Sequence, residues 1–425
     1  MDGLIKNKVT KLLIIYIAII LAGSLGYFLF YLFNHGKLTI ETNSAVTKIE
    51  VYSKPNYSLS DTIKSKKSMD LKSGDYLIKV YFEKNQSYSA EVSIKSWLQT
   101  TVMNPKVAEN TPIKVLDSVQ QDYLPIGNDN YISFNSTQKT QVFANPDIIR
   151  NFKLTAVTNA HYTADGTLLL AVNKNKGADF YYYNQQTGVN TFISNIPSTK
   201  EIGLYYSDDG IYTILDGQFY IVNKNGISKY PLSKDINYSI NSTTPIISKN
   251  SNKIAFLSGN DYSIKNADVE EKVNTNDLRD VSVNIYSLES LENGNIITSL
   301  ALEKTADISG ISLSPDSNYV AIIHDNYTQI FNITSGKQVM SVVSSADTNN
   351  VYWLDNNSFI FMDNDLSISI VNISNKESYT LLAPNSINIS SLCAYINGYL
   401  YFTGFNTESE VRQSLPAAYY IKLKL

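Results

Sequence analysis

The chain has 425 residues, a formal net charge of −4, three histidines and a single cysteine, Cys393. The charge argues against a nucleic-acid surface, and the lysines stand singly in polar turns rather than in a basic stripe. One cysteine excludes an intrachain disulfide, and His35, His161 and His324 have no second ligand at metal-site spacing, so neither a metal nor another cofactor is expected.

Residues 12–33 carry no charge. At about 1.5 Å per residue they reach across a hydrocarbon core of roughly 30 Å, which predicts a transmembrane helix. Lys6, Lys8 and Lys11 precede it, so the positive-inside tendency keeps residues 1–11 cytoplasmic and places everything after Phe33 outside the membrane. Tyr27, Phe28, Tyr31 and Phe33 suit the outer interface. A cleaved signal peptide is the competing reading, since Ala22, Gly23 and Ser24 are small, but the apolar run continues well past them. No cysteine follows the run to receive a lipid, and an exported chain without a disulfide fits a bacterial or archaeal envelope.

Residues 37–106 form a separate small all-β block. Lys37–Thr42, Thr47–Tyr52, Tyr76–Phe82 and Tyr88–Ile94 each alternate apolar with polar at the strand period. The phrase Met69–Val80, with Leu71, the corner Gly74-Asp75-Tyr76 and an outgoing strand, resembles PEGA domains, although the tetrapeptide that names the family is absent. That resemblance covers about 70 residues and implies a sandwich-like surface or spacer module without catalysis.

Asn104–Pro125 reads as a linker or as an outer strand that completes a ring, and 112–425 as one repeating domain. An apolar strand, a polar turn and a second apolar strand recur as His161–Val172, Leu204–Leu215, Ile246–Leu257, Ile311–Ile323, Val351–Phe361 and Cys393–Phe402. Their spacing of about 40 residues, with one stretched interval, is a propeller-blade period. Tyr131–Phe143 supplies a further copy, which favours seven four-stranded blades, with six as the alternative. Ala418–Leu425 is placed to close the ring. Ser314-Pro315-Asp316-Ser317, Ser207–Gly210 and Thr163–Gly166 are similar to the turns of bacterial WD-like propellers of the TolB type, which implies fold and not activity. Turn chemistry alone accounts for them: proline sets φ, aspartate bonds its own backbone, and glycine or asparagine accepts positive φ.

The sequence offers little catalytic chemistry. It has no phosphate loop, nucleophile elbow or His-Glu-x-x-His helix, and its turn aspartates lack the spacing of sialidase Asp-boxes. Asp363-Asn364-Asp365 and Asn128-Asp129-Asn130 carry oxygen ligands that calcium accepts, but without the glycine and distal glutamate of a calcium loop they read as Asx turns. The tyrosine pairs and triplets alternate faces along strands and fit inter-blade packing better than one exposed aromatic surface.

Three segments between second and third strands, Lys174–Asp179, Gly259–Asp280 and Phe405–Ala417, are expected to lie on one propeller face. The middle one is long and charge-rich, and such loops are commonly binding elements or tolerated insertions. Asp261, Tyr262, Glu270, Glu271, Lys272 and Arg279 are its candidate contact residues. The reading is therefore a single-pass membrane protein whose extracytoplasmic PEGA-like module and propeller bind or scaffold an envelope protein or glycan, with no catalytic residue assigned. Alternatives are an envelope polysaccharide- or peptide-cleaving enzyme, and a sensor ectodomain acting through a membrane partner.

Overall fold

The computed structural model describes residues 2–423 except 43–44, 55–56, 65–67, 84–85, 104–111, 117–122, 128–129, 136–139, 144–158, 164–166, 175–176, 185–188, 199–201, 208–209, 235, 237–245, 249–251, 259–281, 303–307, 346–350, 384–386, 397 and 408–414. The fold after residue 34 is all-β, and the chain divides into two compact units, Met1–Lys106 and Val107–Leu425.

The first unit begins with helix α1 (Asp2–Asn34). Ile15, Tyr16, Ile19, Leu21, Leu25, Phe28 and Phe30 are all exposed, on every side of the helix. Among the described residues no helix is long and apolar enough to cross a membrane. The described side chains do not run unbroken through the apolar segment, because those of residues 12, 14 and 32 fall outside them.

Helix α1 passes into strand β1 (His35–Glu41) with no intervening linker. There follow β2 (Val46–Ser53), β3 (Ser58–Lys64), β4 (Ser68–Lys72), β5 (Gly74–Phe82), β6 (Ser87–Ile94) and β7 (Gln99–Met103). Strands β4, β1 and β7 make one sheet, with β1–β7 parallel, and β3, β2, β5 and β6 pair antiparallel in the other. Leu38, Ile40, Leu71 and Val102 are buried on the first, and Ile49, Val51, Ile78 and Val80 on the second, so alternate residues of each sheet supply the core of a two-layer sandwich. The sequence reading found four strands here where the described residues form seven. Strands β4 and β7 are only five residues long and β3 is largely polar, so their period-2 signal is weak. The Met69–Val80 phrase crosses from one sheet to the other at Ser73 and Gly74.

The opposite face of β2 is polar. Glu50 is nearly buried and accepts hydrogen bonds from Lys48 Nζ (2.7 Å), Tyr52 OH (2.6 Å) and Tyr81 OH (2.7 Å). Burial alone would raise its pKa, but these donors and the Lys48 charge outweigh it and hold the carboxyl below the usual range. A carboxyl whose folded pKa is depressed contributes stability that is present above its unfolded pKa and is lost as pH falls through the folded value. Glu50→Gln is therefore expected to lower stability at neutral pH by about 1–3 kcal/mol and to flatten the acid limb below about pH 4.5. Urea midpoints across pH 2–7 would show it; parallel curves for both proteins would remove Glu50 as a contributor.

The second unit opens with β8 (Ile113–Leu116), followed by a three-stranded sheet of β9 (Tyr123–Gly127), β10 (Asn130–Asn135) and β11 (Thr140–Phe143). Four-stranded antiparallel meanders follow. They are β12 (Asn159–Tyr162), β13 (Leu168–Lys174), β14 (Gly177–Asn184), β15 (Val189–Ile196); then β16 (Tyr205–Ser207), β17 (Gly210–Leu215), β18 (Gln218–Asn223), β19 (Gly226–Pro231). Next come β20 (Ile246–Ile247), β21 (Lys253–Ser258), β22 (Ser282–Ser287), β23 (Ile296–Ala301); and β24 (Ile308–Leu313), β25 (Tyr319–His324), β26 (Tyr327–Asn332), β27 (Lys337–Val343). Strands β28 (Tyr352–Trp353), β29 (Ser358–Met362), β30 (Ile368–Asn372) and β31 (Glu377–Leu382) pair consecutively in the same way. The last sheet is β32 (Ile387–Ile396), β33 (Tyr399–Asn406), β34 (Ala417–Lys422) and then β8.

The terminal segment 418–425 is thus not the outermost closing strand. Strand β34 is third in its sheet, and β8, from the segment read as a linker or an outer strand, is the fourth, with Tyr419 opposite Lys114. Strand β9 neighbours both β12 and β32, so the first sheet lies beside the last.

Neighbouring meanders share apolar layers. On β25, Val320 and Ile322 pack with Ala255, Leu257, Val283 and Ile285 of the preceding sheet, while Ala321 and Ile323 pack with Phe359, Phe361 and Val371 of the following one. The same two-sided burial recurs in the last sheet, where Leu400 and Phe402 join Ile360, Ile368, Ile370 and Leu381. Burial on both faces explains why second strands such as Leu168–Val172 read as continuous apolar runs instead of alternating ones.

Candidate functional site

In each meander the turns between first and second strands lie at one end, and those between second and third strands at the other. Among the described residues, the first set bonds largely within itself. Ser314 Oγ donates to Asp316 Oδ1 (2.8 Å) and accepts from the backbone N–H groups of Asn318 (3.1 Å) and Tyr319 (2.9 Å). Thr163 repeats the pattern by accepting from the Thr167 N–H (3.2 Å). Ser248 N–H donates to the Lys253 carbonyl (3.1 Å), as Ser314 N–H does to that of Tyr319 (2.9 Å). Adjacent sheets also meet near this end: Lys253 Nζ, at the start of β21, donates to the carbonyl of the turn residue Ser317 (2.9 Å), and Trp353 Nε1 on β28 to Ser312 Oγ on β24 (3.0 Å). These groups are used in holding sheets together.

The other end carries the longer connections and the less uniform chemistry. Ser258 and Ser282 face each other in the ladder, so 259–281 leaves and returns at one point between β21 and β22. Asp261, Tyr262, Glu270, Glu271, Lys272 and Arg279 all lie outside the described residues. The expected loop Lys174–Asp179 is instead a tight hairpin: Lys174 is opposite Gly177, and only 175–176 separate the strands. The Tyr399–Asn406 strand extends further than the sequence implied, which confines the connection to Ala417 to 407–416.

Two polar clusters at this end join Lys174 and Asp179, and His324, which the sequence named, to partners it did not. Asp179 is buried and receives Lys174 Nζ, Asn195 Nδ2 (2.7 Å) and Tyr181 OH (3.3 Å). Burial raises its pKa, but the Lys174 and Asn195 donors and the Lys174 charge more than reverse that and keep the carboxylate ionised. The residues 179 and 181 share a strand face, which was the available signal; the partners on β13 and β15 come from register and are not visible in one strand. A carboxylate held by three donors, with its pKa below the usual range, suits hairpin closure better than proton transfer.

On the next-but-two sheet a chain of hydrogen bonds runs from His324 Nε2 to Gln329 Oε1 (3.0 Å), from Gln329 Nε2 to Gln338 Oε1 (2.9 Å), and from Gln338 Nε2 to Ser341 Oγ (2.9 Å). The buried His324 ring stacks on Tyr327 at 4.4 Å. In Asp363-Asn364-Asp365 the Asp365 carboxylate accepts the Ser367 N–H (3.0 Å), two residues on, as in an Asx turn, while that of Asp363 accepts the N–H of the next residue, Asn364 (2.7 Å). Cys393 is a free thiol, pushed up to about 12 by burial. Among the described residues no three His, Cys, Asp or Glu side chains gather as a metal site.

No family model matches the chain, and no curated protein matches it. Solved structures similar to it include the computationally designed Ika8 protein, at 10% identity over 90% of this chain and 99% of that one, with a TM-score of 0.42. A chain of the Mitotic Checkpoint Complex matches at 11% identity over 75% and 93%, TM-score 0.41. Kluyvelomyces marxianus Hsv2 matches at 8% identity over 57% and 85%, TM-score 0.32. At these scores the likenesses carry no argument about fold or activity.

Proposed function

We propose that the chain is a membrane-tethered extracytoplasmic binding or scaffolding protein, with residues 12–33 as its span, residues 1–11 in the cytoplasm, a PEGA-like sandwich as spacer and a seven-bladed propeller as the recognition domain. The observation that carries the tether is α1, whose apolar side chains are exposed all round and which continues directly into the sandwich. Support for the propeller comes from the repeated meanders with apolar layers on both faces, from β8 completing the last sheet, and from β9 lying beside both β12 and β32. The recognition surface is the end bearing 259–281, where the connection is long and charged and the hairpins around it are short. A protein or glycan of the cell envelope is the partner class.

Two measurements on the full chain test this. After reconstitution the chain should float with phospholipid vesicles through a carbonate wash; sedimentation as free protein would refute the tether. Crosslinking on intact cells should capture a partner with the natural chain and lose it when 260–280 is deleted and the deleted form retains its unfolding midpoint. Equal capture by both would move the recognition surface away from that loop.

A further inference from the structure

The joint between α1 and the sandwich is built with more contacts than a tether needs. The last carbonyls of a helix have no partners within it. Here Asn34 Nδ2 donates to the Phe30 carbonyl (2.8 Å), His35 Nδ1 lies 3.0 Å from that of Tyr31, Ser96 Oγ donates to that of Phe33, and the Ser73 N–H to that of Asn34 (2.7 Å). The turn after β6 lies against the same point. Trp97 N–H donates to the His35 carbonyl (3.0 Å), and Lys37 N–H to that of Leu98 (3.0 Å).

That turn holds its two largest side chains outward. Trp97 is 53% exposed and Leu98 55%, and the Trp97 indole lies 4.9 Å from the ring of Phe33, itself 62% exposed. Trp97 also has φ +67°, in the left-handed region where a bulky residue is disfavoured and persists only when its surroundings fix it. Packing within the sandwich does not account for the orientation, since neither side chain is buried there. Phe33 is the last residue of the apolar run, so Trp97 and Leu98 sit level with the end of the apolar helix. Lys95, in the turn itself, is exposed, and so is Lys72, opposite His35 on the other side of β1. An indole and a leucine at that level, with an ammonium group in the same turn, match the boundary between acyl chains and phosphate headgroups.

We propose that the 95–98 turn is a second membrane contact, in which Trp97 and Leu98 enter the lipid–water interface beside α1 and orient the sandwich on the bilayer. The inference rests on the reading of α1 as a span, and one sample separates the two. The chain has two tryptophans, so Trp353→Phe leaves Trp97 as the only indole. The full-length Trp353→Phe protein is reconstituted into phosphatidylcholine–phosphatidylglycerol vesicles carrying bromine at defined acyl depths. Trp97 emission should be quenched at least twofold more by bromines near the headgroup than by those near the bilayer centre. Protein that floats with the vesicles but shows no quenching at any depth overturns this contact and leaves the span intact. Protein that does not float overturns both. If Trp353→Phe does not fold, the emission of the natural chain minus that of Trp97→Phe gives the same quantity.

Discussion

Phe402→Ala is expected to destabilise the second unit by about 3–5 kcal/mol, the usual cost of truncating a fully buried phenylalanine. Phe402 is 0% exposed and stacks on Tyr419 at 5.5 Å with an interplanar angle of 17°. It belongs to the layer between the last two sheets, with Ile360, Ile368 and Leu400 as neighbours in the cluster. The form of the transition carries as much information as its midpoint. If the sheets make a ring, loss in one interface weakens the whole unit, and denaturant unfolding moves to a lower midpoint as one step with unchanged slope. A separate early transition, with the remaining sheets unfolding where they did before, would mean that the meanders stack as an open array.

The second large effect is expected at Gly36. A Cβ built there collides with the backbone oxygen of Lys95 and comes within 2.9 Å of Ile94 Cγ2, so the 95–98 turn must move away. Gly36→Ala should therefore weaken both backbone hydrogen bonds that tie the turn to β1, at a total cost of about 2–4 kcal/mol from overpacking and lost hydrogen bonds. Amide hydrogen exchange at Trp97 and Lys37 would accelerate by at least tenfold while exchange in β5 changes less. Unaltered protection at those two amides would show that the turn tolerates the methyl group and is not clamped as described.

The repeat was legible in the sequence because its turns are chemical. Ser314, Asp316 and Asn318 must bond one another for the chain to reverse, and that requirement leaves a local signature. Second strands were legible for a related reason, since burial on both faces removes the polar alternation and leaves runs such as Ile254–Leu257. Pairings set by distant register were not. Nothing local in Ile113–Leu116 says that it will complete a sheet begun at Ile387, and a four-residue strand with partly exposed residues has no pattern of its own. Lys174 and Asp179 looked like the two ends of a polar loop; the structure makes them an ion pair across a hairpin, because a buried carboxylate needs its donors and two strand residues can supply them. The exit of α1 was legible as an end of apolar sequence, but Trp97 lies too far along the chain for its contact with Phe33 to be read from spacing.

Direct continuity between α1 and β1 also makes angle a function of residue count. Each helical residue turns the axis by about 100° and lifts it by about 1.5 Å. Because Asn34, His35, Ser73 and Ser96 lock the last turn of the helix to the strand that follows, the sandwich has no swivel at its base. The compass bearing of the module relative to any side chain of α1 is thus written into the number of helical residues between that side chain and Asn34, and a helix that rotated in its surroundings would carry the module round with it, as a key turns its bit.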